Sequence, residues 1–183
     1  MAVFLGGAKS RLLPMSVPFR FFAAASLFHV LMWVALFADA GNGISFRGGF
    51  GPTLAAVHLL TLGVLTMTAA GASVQLLPVA TRRPIAAVWP IKLLFWILAP
   101  GLLALAAGMY SGWPAALAAG SGMVTVALAL LAILLGDNLR RSASLPIVSA
   151  FGWAALLSLV LLTAFGIALI IDYAKTMLPD HGA

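Results

Sequence analysis

A chain of 183 residues that is 63% hydrophobic and 8% charged, with a mean hydropathy of +1.14, cannot present a water-solvated surface and belongs in lipid. There every backbone polar group must be satisfied inside the protein, which leaves helices or a closed barrel, and these long unbroken apolar runs lack the alternation of barrel strands. The net charge of +6 does not signal nucleic acid, because the basic residues sit between apolar runs, and the absence of cysteine excludes disulfides, thiolate-held clusters and c-type haem attachment.

A spanning helix needs about 20 apolar residues, and five segments supply them: 18–38, 52–79, 86–110, 113–135 and 144–171. The basic, Pro-containing lead before the first reads as a short interfacial segment. Ala38-Asp39-Ala40 imitates a signal cleavage site. Yet the apolar run from Phe21 to Phe37 is longer than a signal core of about 7–15 residues and carries a histidine, so it reads as a retained span. The breaks that follow hold turn chemistry: Gly41-Asn42-Gly43 through Gly48-Gly49, Thr81-Arg82-Arg83-Pro84, Ser111-Gly112-Trp113-Pro114 and Gly136-Asp137-Asn138. Pro52, Pro114 and Pro146 lie near helix starts, where a missing N–H costs little. The expectation is an all-α, polytopic bundle of five helices forming one membrane domain.

Charge sets its orientation. Lys9, Arg11, Arg20, Arg82, Arg83, Lys92, Arg140 and Arg141 fall on one side, with Arg47 and Lys175 on the other. The positive-inside rule then predicts a cytoplasmic N-terminus and an external C-terminus, in a cell's inner membrane. The five tryptophans suit interfacial belts.

Within the second segment, His58 lies at bilayer depth, where an ionisable side chain is a functional-site hypothesis by default. At 100° per residue, His58, Thr61, Leu65, Thr68, Ala72 and Gln75 form one drifting stripe. Gly63 and Gly71 fall on the opposing side, where a second helix or a flat ring can approach closely. The residues alone leave two uses open: an axial ligand to haem, or a hydrogen-bonded packing histidine among polar interhelical contacts. His29 lies roughly 14 Å below the outer end of the first helix and His58 roughly 9 Å below that of the second. It is a weaker metal-ligand candidate, equally read as bonded to a carbonyl or to a threonine of helix 2. His181 reads as a solvated tail residue. No Ser–His–Asp set, carboxylate pair, phosphate-binding loop or intramembrane acid chain is present.

The run His58-Leu-Leu-Thr61-Leu-Gly63, with Gly71 and then Arg83-Pro84, resembles the His-x-x-Thr-x-Gly helix of the NnrS family. Those are haem- and copper-containing bacterial membrane proteins linked to nitric oxide stress. More loosely, it is similar to the second helix of haem–copper oxidase subunit I. The resemblance spans residues 58–84. It implies a b-type haem with His58 as iron ligand, close packing at Gly63 and Gly71, and a role in redox or nitric oxide handling. Copper, which the families also carry, has no ligand set here: adjacent histidines and a His–Tyr helix are missing. Both families have around twelve helices, so the resemblance implies either one half of that architecture or a cut-down relative. A second copy or a partner subunit is then expected to supply an opposing ligand. The competing class is a haem-free membrane module, either an assembly subunit or half of a transporter.

Overall fold

The computed structural model describes residues 12–41, 48–85, 87–141 and 146–177, with side chains up to residue 172. His181, Lys9, Arg11 and Arg47 lie outside the described residues, as does the Lys175 side chain. The described residues form five helices long and apolar enough to cross a membrane. These are α1 (Ser16–Ala38), α2 (Pro52–Ala80), α3 (Trp89–Ser111), α4 (Pro114–Arg140) and α5 (Pro146–Met177). This is a multi-pass helical membrane protein, and the sequence-derived spans agree with it to within a few residues at most ends.

Local chemistry explains the boundaries. Pro52, Pro114 and Pro146 each occupy the first helical position, where proline's fixed φ is already helical. α3 ends on Gly112 at φ 67°, and the Trp113 N–H donates to the Gly108 carbonyl at 3.1 Å. That left-handed cap lets α4 fold straight back. α2 ends in the same way. The Arg82 N–H donates to Val79 O (3.2 Å) and the Arg83 N–H to Pro78 O (3.1 Å), with Arg82 at φ 56° in the place glycine usually takes.

One expected break is absent. Gly136-Asp137-Asn138 does not end α4, which runs on to Arg140. Asparagine and aspartate weaken helices by competing for the backbone, but here both side chains are engaged elsewhere. Asp137 pairs with Arg141 at 2.9 Å, and Asn138 is buried in a bond to α2.

The bundle is antiparallel. At one end Thr53 donates to the Asp39 carboxylate, and the Gly51 N–H donates to Met109 O at 2.8 Å, joining the ends of α1, α2 and α3. At the other end the Arg20 guanidinium lies 5.6 Å from the Phe95 ring centroid, and Arg83 reaches Arg141. All six described basic side chains with assigned exposure (Arg20, Arg82, Arg83, Lys92, Arg140 and Arg141) therefore gather at one end.

Helix contact in lipid rests on close packing instead of hydrophobic transfer, and glycine sets it. A Cβ on Gly120 would stand 2.2 Å from Leu105 N, and one on Gly108 would stand 2.5 Å from Leu117 N, so α3 and α4 touch backbone to backbone. α1 seats Phe28 on Gly63 and Phe21 on Gly71 in the same manner. α5 is different: only 6% of its apolar window is buried. It touches α4 through Leu156 and through Gly152, which packs on Leu139.

Candidate functional site

The helix that carries His58 is not uniform. It is α-helical over Pro52–His58, a π-helix over Leu59–Thr66, and α-helical again over Met67–Ala80. The Thr66 hydroxyl donates to Thr61 O, five residues back, at 3.0 Å, which matches the wider i→i+5 turn. Such segments are rare and frequently mark functional sites. His58 is the last α-helical residue before it.

The wider turn corrects the stripe expected at 100° per residue. Thr61, Leu65 and Thr68 lie on the open face of α2, but Ala72 and Gln75 turn in towards the bundle, and the Gln75 side-chain carbonyl is buried. The hydroxyl of Thr61 is satisfied by Val57 O at 2.9 Å on its own helix, so it does not join helices.

His58 is half-buried. Its Nδ1 lies 3.0 Å from the Leu54 carbonyl. A carbonyl can only accept, so Nδ1 carries the proton and donates. In the neutral ring, Nε2 then holds a lone pair, and it has no hydrogen-bond partner among the described residues. This is the donor arrangement a haem ligand requires.

His29 is arranged otherwise. It is exposed on α1 beside buried Phe28, and Trp33 Nε1 donates to its Nε2 at 3.0 Å. The bond expected to a carbonyl or to a helix 2 threonine is replaced by one from an indole a single turn away. That indole N–H occupies the lone pair a metal would take. Among the described residues no group of three or more metal-ligating side chains gathers.

Gly63 and Gly71 lie where α1 comes closest. Cβ atoms there would stand 2.8 Å from Phe28 Cβ and 2.9 Å from Phe21 Cβ. The rings over these glycines are phenylalanines, so no flat cofactor fits on that side of α2. Next to His58, the exposed face of α2 is formed by Val57, Thr61 and Leu65.

A second polar centre, which sequence reading missed, lies at the basic end. The Thr81 hydroxyl bonds to Asn138 Oδ1 (2.7 Å), Asn138 Nδ2 donates to Arg83 O (3.1 Å), and Arg83 Nε donates to Arg141 O (2.9 Å). Thr81 and Asn138 are both buried. These partners are more than 50 residues apart, and no local pattern announces them.

Comparison of the chain with protein-family models, with curated proteins and with solved structures returns no match. Fold and sequence together define a multi-pass helical membrane protein.

Proposed function

We propose that this protein binds a b-type haem through Nε2 of His58 and serves redox or nitric oxide handling at the membrane. One observation carries the reading: the Nδ1–H of His58 is donated to Leu54 O at 3.0 Å, leaving Nε2 for a metal. Metal-ligating histidines generally donate their other ring N–H in this way, which fixes tautomer and ring orientation. The resemblance of residues 58–84 to the NnrS helix gives the metal group its identity. The π-helix beginning at Leu59 adds local support.

Bound haem would supply electron transfer or gas binding at iron. The chain's own part is axial ligation by His58 and an apolar, low-dielectric face formed by Val57 and Leu65. His29 does not oppose it, because its Nε2 accepts from Trp33. Any further ligand to the iron would have to be supplied by a second copy or a partner subunit.

The test is an absorption spectrum of the purified full chain after incubation with haem b, on size-separated fractions. A Soret band is expected in a dimeric or larger fraction, lost in His58→Ala and kept in His29→Ala. Full haem content with an unchanged spectrum in His58→Ala removes the assignment. A folded protein without any Soret band leaves the haem-free membrane module.

A further inference from the structure

We infer that the basic end of the bundle holds a binding site for a phosphodiester group, occupied by the headgroup of an anionic phospholipid. The site is built from the two arginine pairs, Arg82-Arg83 and Arg140-Arg141. Topology alone asks only that positive charge lie on one side of the bilayer. It does not ask that two pairs from separate turns be clamped together, yet here they are. Arg83 Nε donates to Arg141 O at 2.9 Å, and Asn138 Nδ2 donates to Arg83 O at 3.1 Å. The clamp joins the backbones that carry the two arginine pairs at one corner, where Asp137 is the single described carboxylate. Asp137 is already paired with Arg141 at 2.9 Å. Among the described residues, the guanidiniums of Arg82 and Arg140 have no hydrogen-bond or ion-pair partner, and that of Arg83 uses only Nε.

Backbone geometry points the same way. Arg82 sits at φ 56°, a left-handed position that is strained for any residue with a side chain. The helix cap alone would be better served by glycine. A guanidinium that faces a phosphate gives the position a use that glycine cannot fill.

Next to Arg141 a cavity of about 120 Å³ opens between α2, α3 and α4, lined by Ser73, Leu77, Pro78, Asn138, Arg141 and its partner Asp137 among others. From Thr81 back to Ser73 is about 12 Å along the helix axis, so the cavity runs from the charged end down into the apolar layer. A polar mouth with an apolar floor matches a lipid headgroup and the start of its chains, and basic pockets between membrane helices bind anionic headgroups by this chemistry.

The full chain in neutral detergent is titrated with phosphatidylglycerol, with phosphatidylcholine of identical chains, and with inorganic phosphate, and bound molecules are counted by native mass spectrometry. Phosphatidylglycerol is expected to be retained in preference to phosphatidylcholine. Arg82→Gly and Arg140→Gln should each weaken it about fivefold, and the double variant about 25-fold. Arg82→Gly relieves the backbone, so its loss of lipid cannot be attributed to misfolding. Lys92→Gln, at the same end but outside the clamp, should leave retention unchanged. Equal retention of both lipids, an unaffected double variant, or an equal loss in Lys92→Gln overturns the site. Displacement of the lipid by inorganic phosphate overturns the lipid as its occupant.

Discussion

Replacing Gly120 by alanine adds one methyl group where α3 and α4 touch. Its Cβ would meet Leu105 N at 2.2 Å and Leu105 Cα at 2.6 Å. Ordinary contact begins near 3.4 Å, so the helices must part by about 1 Å. The obstructing atoms are backbone and cannot swing aside. Overpacking costs about 1–3 kcal/mol, and an immovable neighbour puts this site at the upper end. Parting also forfeits dispersion along the seam, because a gap of 0.5–1 Å loses about a quarter to a half of each contact. Gly122, two residues on, is the control: a Cβ there meets nothing within 4 Å. Alanine at that position should gain about 0.5–1 kcal/mol from helix propensity. The two variants should therefore differ by about 3–4 kcal/mol in reversible unfolding by SDS in mixed micelles, followed by far-ultraviolet circular dichroism. Agreement of the two within about 0.5 kcal/mol would refute the backbone-contact geometry.

Further outcomes follow from the same structure. Asn138→Leu removes the bonds to Thr81 and to Arg83 O, and should cost about 1 kcal/mol in the same assay, since two hydrogen bonds joining α4 to the end of α2 are lost while Thr81 keeps Leu77 O. Arg82→Gly should stabilise the chain by about 1 kcal/mol by releasing the left-handed backbone; a loss of stability would contradict the cap. Reporter fusions near Arg83 and Arg141 should read cytoplasmic and a fusion after Gly43 external, and the opposite pattern would reverse the orientation. Trp33→Phe frees Nε2 of His29; under the ligand assignment to His58 it leaves any haem spectrum unchanged, and a shifted spectrum would bring His29 into the site.

Helix positions were legible because their determinants are local. Apolar length and a proline at the first position announced α2, α4 and α5, and Gly112 before Trp113-Pro114 announced the tight turn. The π segment was not legible: Leu59–Thr66 contains only residues that serve an α-helix as well, so composition does not reveal the wider turn. That shift moved Gln75 off the expected face. Asn138 misled for the opposite reason, since its turn-forming side chain is consumed by a partner on another helix. His58 stood out because an imidazole in an apolar run is chemically conspicuous, but the direction of its free nitrogen depends on the rotamer that meets Leu54 O. His29 is the weaker candidate in sequence, and in the structure an indole donor on its Nε2 separates it from His58.

The isolation of α5 bears on how this protein could be remodelled within a membrane. Among the described residues every buried side chain but Leu156 belongs to residues before 141, so the described core closes largely without the last helix. Its place beside α4 is held by a narrow seam at Gly152, Leu156 and Leu139, with a groove of about 340 Å³ between it and α2. Lateral departure of α5 would uncover Leu139 and Leu156, which are buried at that seam, and leave the rest of its apolar face in lipid as before. The described interlocked core thus lies in the first four helices, and most of the apolar face of α5 is left for lipid or another helix to cover.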